Sequence, residues 1–507
     1  MAITVKSATF YGLDVKIVKV EVDISKGLPT FSIVGLPDAS VKESRERVRS
    51  AIVNSGYSFP LGRITINLAP ADIKKIGTLL DLPIAIGLLL ASEQINSKSI
   101  SKTLFIGELS LEGNLRKIDG ALTILLKALE NDFDSFILPT KNYKECILSN
   151  KIKTYPLNNL KEVSNLLIYN DVLPLENIDY IELTNESLKD FSEVAGNESA
   201  KRALEIAAAG NHNILMFGPP GSGKTMLAER LSSILPSLSF EESLDVSKIY
   251  SVSGKLQDDG LLKERPFRAP HHTITPSAMV GGGRDLKIGE ISLAHRGVLF
   301  LDELLEFNKS IIELLRQPLE NKQITLSRVN SNATFPSDFL FVGAFNPCPC
   351  GNYLSSLLDN RVCTCSENER IKYLNRLSKA ILDRIDIFVC IPYIDFNEFR
   401  SKAKGEKSNL IKERVLEARE IQAKRYFKNK CNAGLNHSEI IKFIKLEDSA
   451  ESILKTFWKK WSLSNRALDR ILKVSRTIGD LDGVDKIQDK HILEALNYRK
   501  FVNGEII

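Results

Sequence analysis

"HNILMFGPPGSGKTMLAERLSSIL", residues 212–235, sets a glycine-rich loop between an apolar run and an amphipathic segment. The run 214–217 predicts a buried strand, and the segment after Thr225 predicts a helix. The G-x-x-x-x-G-K-T spacing between them is typical of a loop whose backbone amides surround phosphate groups at a helix N-terminus. Lys224 is suited to reach the β- and γ-phosphates, and Thr225 to hold Mg²⁺. The predicted phosphate-binding residues are Gly218, Pro219, Pro220, Gly221, Ser222, Gly223, Lys224 and Thr225.

Two apolar runs downstream end in polar residues that suit the same site. GVLFLDE, residues 297–303, ends in Asp302 and Glu303, and FLFVGAFN, residues 339–346, ends in Asn346. Asp302 is suited to hold Mg²⁺ and Glu303 to polarise an attacking water. Asn346 is suited to orient that water. An acidic pair alone is more often a strand end that meets solvent, but downstream of this loop it favours nucleotide hydrolysis.

Together these features resemble the AAA+ ATPases, in which a strand ends in a polar sensor residue. The resemblance implies ATP and Mg²⁺ as cofactors and roles for two arginines. Arg384 stands before the apolar run in DRIDIFV, and Arg466 stands early in the predicted helix NRALDRILKVSRTIGDL. In AAA+ rings one arginine reaches the neighbouring subunit's nucleotide and another senses the γ-phosphate, because a guanidinium binds phosphate oxygens bidentately. Taken singly, each would be a surface or salt-bridged arginine.

Two inserted segments narrow the resemblance within AAA+ proteins. RPFRAPHHT, residues 265–273, lies in a long interval before the acidic strand, and QITLSRVNSNATFP, residues 323–336, predicts a hairpin with a polar turn at 330–332. A helix-2 insert and a pre-sensor hairpin mark the branch that contains magnesium chelatase and the MCM helicases. His271 and His272 in the first insert could line a surface that faces DNA or a neighbouring subunit, or could bond within the insert.

The whole chain resembles the bacterial ComM family, also called YifB or magnesium-chelatase-like ATPases. The motifs that carry the resemblance are GLPDASVKESRERVRSAI, DFSEVAGNESAKRALEIAAAG, RPFRAPHHT, NPCPCG and RTIGDLDG. In the second of them, Val194 and Gly196 would border the adenine. The resemblance implies a homohexameric DNA translocase that drives branch migration during recombination of incoming DNA, with DNA and recombination proteins as partners.

Three domains are expected in this α/β chain. Residues 1–170 resemble the Lon-protease domain, a ribosomal S5-like α+β fold, but Leu79 and Leu122 stand where its catalytic serine and lysine would be. An apolar side chain can neither attack nor deprotonate, so we predict no protease activity. Residues 185–392 form the predicted AAA+ core with the cysteine cluster 348–365, and residues 393–507 form a helical lid.

The composition is that of a globular protein of ordinary hydrophobicity. Hydrophobic residues make up 43% of the chain and charged residues 26%, and the net charge of +5 is a mild bias towards polyanions. The N-terminus lacks the basic start and apolar run of a signal peptide. The apolar run 82–91 is too short to span a bilayer and predicts a buried helix. We expect a cytoplasmic protein with no membrane partner.

Four of the seven cysteines are clustered in NPCPCGNYLSSLLDNRVCTC, residues 346–365. A disulfide framework, a metal site, a reactive thiol pair and chance would each account for such a cluster, but thiols stay reduced in the cytosol, where clustered cysteines more often bind metal. Four thiolates can hold a structural Zn²⁺, although C-x-C is tighter than the usual C-x₂-C. The alternative is four reduced thiols that bind no metal. The predicted ligands are Cys348, Cys350, Cys363 and Cys365.

Two other functions remain open on the sequence alone. One is a magnesium-chelatase motor that assists metal insertion into a porphyrin, which the protease-like first third and the cysteine cluster disfavour. The other is a scaffold that binds nucleotide without hydrolysing it, which the intact Lys224, Asp302 and Glu303 disfavour.

Overall fold

The chain divides into two compact units, each with its own sheet. The computed structural model describes residues 2–97, 100–146, 151–176, 189–256, 260–283, 287–328, 331–353, 362–393, 405–427 and 430–501. The first unit comprises Met1–Leu183, Phe240–Lys263 and Ser327–Thr334, and the second comprises Thr184–Ser239, Glu264–Leu326 and Phe335–Ile507. The segment Phe240–Lys263 therefore belongs to the first unit although the sequence around it belongs to the second.

The elements of the first unit are β1 (Ile3–Tyr11), β2 (Asp14–Ser25), β3 (Thr30–Val34), α1 (Ala39–Asn54), β4 (Arg63–Ala69), α2 (Asp81–Ala91), β5 (Thr103–Phe105), β6 (Glu108–Leu109), β7 (Leu115–Arg116), α3 (Ala121–Glu130), β8 (Ser135–Pro139), β9 (Lys153–Leu157) and α4 (Leu160–Tyr169). Seven of these strands form a mixed sheet in the order β3-β4-β2-β1-β5-β8-β9. Helix α2 is apolar on all sides and shares a buried core with β1 and β2, which confirms the predicted buried helix.

The second unit alternates short strands with helices and ends in a run of helices. Its first elements are α5 (Glu198–Gly210), β10 (Ile214–Phe217) and α6 (Lys224–Ile234), after which α7 (Phe240–Val252) returns to the first unit. The chain continues with β11 (Phe267–Arg268), α8 (Pro276–Val280), β12 (Gly281–Gly282), β13 (Lys287–Ile288), α9 (Glu290–Leu293), β14 (Val298–Leu301), α10 (Lys309–Leu314), α11 (Arg316–Asn321), β15 (Gln323–Arg328), β16 (Ser331–Pro336), β17 (Leu340–Phe345), α12 (Glu367–Leu374), α13 (Lys379–Leu382) and β18 (Ile387–Cys390). The closing helices are α14 (Ser408–Tyr426), α15 (His437–Phe443), α16 (Asp448–Lys460), α17 (Asn465–Leu481) and α18 (Asp489–Asn497).

Five strands of the second unit form a parallel sheet in the order β11-β14-β17-β10-β18. Strands β10, β14 and β17 are apolar throughout and fully buried, as expected for strands covered by helices on both faces. All five strands end at one edge, so the loops after β10, β14 and β17 meet there. The predicted α/β class with a parallel sheet is confirmed.

The predicted inserts and the helical C-terminal region are also present. Helices α8 and α9 with the strand pair β12–β13 stand between β11 and β14, where the sequence predicts an insert. Strands β15 and β16 form the predicted hairpin. Residues 329 and 330, at its turn, lie outside the described residues, and Asn332 already lies in β16. Helices α14 to α18 share one hydrophobic core with α5, α6 and the sheet.

A buried polar network joins the start of β10 to the C-terminal helices. His212 Nδ1 lies 3.1 Å from Asp386 Oδ2, and His212 Nε2 lies 2.7 Å from Thr477 Oγ1 in α17. Asp386 also forms an ion pair with Arg470, one turn after Arg466. Burial alone would raise the pKa of Asp386, but Arg470 and His212 lower it well below its ordinary value. The network fixes α17 to the sheet.

Candidate nucleotide-binding site

The loop 218–223 passes directly from β10 to α6, as its spacing predicts. Gly223 caps α6 with φ 91°, a left-handed conformation that glycine adopts without strain. A Cβ at Gly218 would lie 2.1 Å from the carbonyl oxygen of Ile391, so a side chain there would displace the loop. The hydroxyl oxygen of Ser222 is buried and has no hydrogen-bond partner among the described residues. A narrow glycine cradle and an unpaired buried hydroxyl both fit a phosphate group.

The side chain of Lys224 lies inside this loop. Its Nζ donates to the carbonyl oxygens of Gly218 and Pro219, both at 2.8 Å, and to Asn346 Oδ1 at 3.2 Å. Burial lowers the pKa of Lys224 from its ordinary value, which Asp302 partly offsets. Asn346 follows β17, the immediate neighbour of β10 in the sheet, which accounts for the contact. The structure therefore brings the predicted lysine and the predicted sensor residue together.

The predicted Mg²⁺ ligands also lie in contact. Thr225 Oγ1 donates to Asp302 Oδ2 at 2.5 Å, although 77 residues separate them. A hydroxyl and a carboxylate oxygen are hard ligands of the kind that Mg²⁺ prefers, so this pair fits the ion.

Glu303, next along the chain, has a strained backbone and an open side chain. Its φ is 49°, in the left-handed region, and its side chain is 58% exposed. Its amide donates to Asp302 Oδ1 at 2.9 Å, and its Oε2 lies 3.6 Å from His272 Nδ1. Left-handed backbone at a non-glycine residue costs of order 1–3 kcal/mol.

The two predicted arginines meet at one carboxylate on the same unit. Arg384 forms an ion pair with Glu320 of α11, and Arg466 Nη2 lies 4.0 Å from the same carboxylate. The hydrogen bond from Arg384 holds the pKa of Glu320 below its ordinary value. Arg384 is 12% exposed and Arg466 69% exposed. Among the described residues, no hydrogen bond or ion pair joins either arginine to the loop 218–223.

The predicted adenine-bordering segment is anchored to the helix that follows the phosphate loop. Val194 is buried, and Gly196 has φ 59°. Arg230 of α6 donates to the carbonyl oxygen of Asp190 at 3.0 Å and forms an ion pair with Glu193. The segment is thus held next to α6.

The four clustered cysteines converge although they come from two segments. Their sulfur atoms lie within 4.8 Å of one another, with Cys348 to Cys350 at 3.4 Å, Cys350 to Cys363 at 3.6 Å and Cys348 to Cys363 at 3.8 Å. Sulfurs that bind a tetrahedral Zn²⁺ at about 2.3 Å lie about 3.8 Å apart. Residues 354–361, between the two pairs, lie outside the described residues. The donor set and its spacing fit Zn²⁺.

Three residues near the predicted site residues were not assigned to the site from the sequence, although His272 was named there as a residue that could face DNA or a neighbouring subunit, or bond within the insert. His272 faces Glu303, Glu320 binds both arginines, and the hydroxyl of Tyr393 donates to the carbonyl oxygen of Pro220 at 2.8 Å. Strands β11 and β14 are parallel neighbours, so the loops that follow them leave the sheet at the same edge. This order of elements could have indicated that His272 lies near Glu303. The partners of Glu320 and Tyr393 lie far away in sequence, and no local pattern marks them.

The cysteine loop also touches the phosphate loop. A Cβ at Gly351 would lie 2.5 Å from Cδ of Pro220, so the backbone after Cys350 packs directly on the loop 218–223. Any metal that orders the cysteines would therefore support the phosphate loop as well.

In the first unit, the positions compared with the protease dyad are not polar. Leu79 and Leu122 are both buried, and the hydroxyl of the adjacent Thr78 donates to the carboxylate of Glu108. Among the described residues, no helix combines the length and apolar character needed to cross a membrane.

Three family models match successive parts of the chain. Residues 190–399 match "Magnesium chelatase, subunit ChlI", residues 20–142 match "Subunit ChlI of Mg-chelatase", and residues 405–499 match "Magnesium chelatase, subunit ChlI C-terminal".

Similar proteins extend the match to nearly the full length. The chain is 42% identical to the competence protein ComM of Haemophilus influenzae, over 98% of this chain and 97% of that protein. It is 44% identical to the uncharacterized protein YifB of Escherichia coli, over 96% of this chain and 95% of that protein. Identity to the magnesium-chelatase 38 kDa subunit of Rhodobacter capsulatus is 25%, over 45% of this chain and 68% of that subunit. The chain belongs to the ComM/YifB family of magnesium-chelatase-like proteins.

Proposed function

We propose that this protein is a Mg²⁺-dependent ATPase that assembles as a ring and moves DNA. The observation that carries the ATPase is the meeting of Lys224, Asn346 and the Thr225–Asp302 pair at one edge of the parallel sheet. These groups come from three strands, and a phosphate-binding lysine, oxygen ligands for Mg²⁺ and a polar residue beside them are the groups that phosphoryl transfer uses. The buried hydroxyl of Ser222, which has no hydrogen-bond partner among the described residues, supports the binding of a phosphate group in the loop 218–223.

Each residue has a distinct task in this proposal. The amides of the loop 218–223 and Lys224 would hold the phosphates, while Thr225 and Asp302 would hold Mg²⁺. Bound Mg²⁺ and ATP would supply the phosphoryl group and a charge that stabilises its transfer. Glu303 would accept a proton from the attacking water, and Asn346 would orient that water. Val194 and Gly196 would border the adenine.

The positions of Arg384 and Arg466 support action between subunits. Both lie at Glu320, and among the described residues no hydrogen bond or ion pair joins either arginine to the loop 218–223 of the same chain. In this proposal the arginines that stabilise phosphate would reach the nucleotide of a neighbouring copy. A closed ring of identical subunits provides such a neighbour at every interface. We propose a homohexamer. We also propose that residues 393–507 form a lid, which moves against the core formed by residues 185–392.

DNA is the proposed substrate of the motor. The relative in Haemophilus influenzae is named a competence protein, and the ComM resemblance implies branch migration during recombination of incoming DNA. On these grounds we propose that the ring translocates on single-stranded or branched DNA in the cytoplasm, together with recombination proteins. Its contacts would be mainly to phosphates and would weaken as the salt concentration rises.

A magnesium-chelatase motor is the second candidate. The observation in its favour is the match of three chelatase family models along the chain. Against it, the region that is similar to the magnesium-chelatase 38 kDa subunit covers only 45% of this chain.

Phosphate release with a panel of DNA structures separates these functions. We expect single-stranded or branched DNA to raise turnover several-fold at low salt, with strand displacement in a parallel assay, and the Lys224→Ala variant to show neither. Turnover that ignores DNA, together with stimulation of metal insertion into a porphyrin, would favour the chelatase motor. A protein that binds ATP and releases no phosphate under any of these conditions would be a scaffold.

We also propose a structural Zn²⁺ at Cys348, Cys350, Cys363 and Cys365. The sulfur spacing supports this metal, and four thiolates leave no open position for catalysis. Because Gly351 packs on Pro220, the bound metal would hold the cysteine loop against the loop 218–223.

Protein purified without chelators should contain about one zinc per chain by elemental analysis. The Cys350→Ser, Cys363→Ser double variant should lose the metal, because a neutral hydroxyl is a poor substitute for a thiolate. It should still bind ATP, but DNA-stimulated turnover should fall as the support of the phosphate loop is lost. The matched control is Cys390→Ser, outside the cluster, which should keep its zinc. The absence of stoichiometric metal from the unaltered protein would leave four reduced thiols.

A further inference from the structure

The loop after β11 leads towards the acidic pair. Strand β11 pairs in parallel with β14, with Phe267 opposite Val298 and Arg268 opposite Leu299. His272 lies four residues after the end of β11 and Glu303 two residues after the end of β14, so both stand in the loops beyond the paired residues. Both loops leave the sheet at the edge where the phosphate loop lies, so a side chain in one can act on the other.

The imidazole of His272 is held in place from two sides. Its ring lies 4.1 Å from the ring of His271 and packs edge-on against Phe307 at 6.4 Å, centroid to centroid. Phe307 is buried, and it follows Glu303 by four residues. The ring packing directs Nδ1 towards Glu303 Oε2, at 3.6 Å.

The carboxylate of Glu303 has few other restraints. Across the described part of the chain, Nδ1 of His272, at 3.6 Å, is the one lysine, arginine or histidine side-chain nitrogen within 4.0 Å of this carboxylate. An exposed glutamate otherwise samples many rotamers, and ordering it costs conformational entropy. A partner that already restricts those rotamers lowers the cost of reaching the reactive geometry.

We propose that His272 is a positioning residue, which holds the carboxylate of Glu303 in a productive orientation through Nδ1. The inference rests on the proposed role of Glu303 in ATP hydrolysis. It also links the insert that begins after β11 to the catalytic base, since the loop 269–275 carries His272 and leads directly into α8. A purely structural alternative is that the imidazole serves only to pack on Phe307.

Two substitutions separate the contact of Nδ1 with Glu303 from the packing of the ring on Phe307. His272→Asn places an amide nitrogen near the position of Nδ1 and removes most of the ring packing. His272→Phe keeps an aromatic ring against Phe307 and removes the donor. Steady-state turnover of the full-length protein is measured with DNA across ATP concentrations, and ATP affinity is measured with a fluorescent analogue. His437→Asn is the control, because its ring pairs with Asp469 in the C-terminal helices rather than with His272 or Glu303.

We expect His272→Phe to lower kcat roughly 10-fold with little change in ATP affinity, and His272→Asn to restore most of the loss. The His437→Asn control should stay near the unaltered protein. If His272→Phe retains activity and His272→Asn loses it, the proposal is overturned, and His272 serves only to pack on Phe307. Normal or faster turnover in His272→Phe would also overturn it. If Glu303→Gln retains turnover, the proposed role of Glu303 fails instead, which distinguishes the two failures.

Discussion

The Glu303→Gln variant should bind ATP, assemble normally and lose roughly 10²- to 10⁴-fold in hydrolysis, the usual contribution of a general base. The amide has nearly the same shape as the carboxylate but cannot accept a proton from water. The Thr225–Asp302 pair and the loop 218–223 stay intact, so nucleotide binding should survive. Phosphate release and ATP affinity, measured on the same preparation, give the two readouts.

The matched control for this variant is Glu306→Gln. Glu306 lies three residues further along the same loop and pairs with Arg376 at 3.4 Å rather than with the phosphate-binding residues. Loss of this ion pair should change the turnover little, because an exposed ion pair contributes only about 0–1 kcal/mol to stability. Turnover near normal in Glu303→Gln would refute the assignment of Glu303 as the base. Loss of ATP binding in the same variant would show that the glutamate holds the site together instead.

The second large effect is expected from Arg384→Ala, which should bind ATP and hydrolyse it roughly 10³- to 10⁵-fold more slowly. The guanidinium is held by Glu320 and by the carbonyl oxygen of Ala380, away from the phosphate loop of its own chain. If it acts on a neighbouring subunit, the defect can be complemented. An inactive Lys224→Ala subunit would supply the arginine, and an Arg384→Ala subunit would supply the intact phosphate loop.

Mixing the two inactive proteins therefore tests the ring. Random assembly restores about a quarter of the interfaces, so phosphate release should rise well above the sum of the separate proteins. The matched control replaces one partner with the Lys224→Ala, Arg384→Ala double variant. With the double variant in place of Lys224→Ala, no interface joins an intact loop to an intact arginine. No recovery in the first mixture, with subunit exchange shown by differently tagged chains, would place the action of Arg384 within its own subunit.

Much of the fold followed from local sequence patterns. The apolar runs 214–217 and 298–301 are strands β10 and β14, and the run 82–91 lies in helix α2. The first two runs are four residues long and are followed by glycine or by acidic residues, which favours a buried strand, whereas the run 82–91 is long enough to favour a helix. The glycine-rich loop 218–223 was predictable because its glycines, Lys224 and Thr225 are close together in sequence.

Other assignments needed the sheet order. The polar ends of three strands meet because β14, β17 and β10 are neighbours, and only the sheet order establishes this. The two C-x-C pairs were visible in the sequence. The convergence of their four sulfur atoms depends on where the fold places the second pair relative to the first. The membership of residues 240–263 in the first unit has no marker in the local pattern.

By itself, the sequence determined the α/β class and the positions of the glycine-rich loop 218–223, the acidic pair and Asn346 at the ends of strands, because each is specified by residues close together in the chain. Only the tertiary structure decided which side chains these residues meet. It placed His272 beside Glu303, joined Arg384 and Arg466 at Glu320, and linked His212 to the C-terminal helices. The physical reason is that pairing between distant residues depends on strand order and on the packing of whole helices. Neither leaves a periodic pattern in the local sequence.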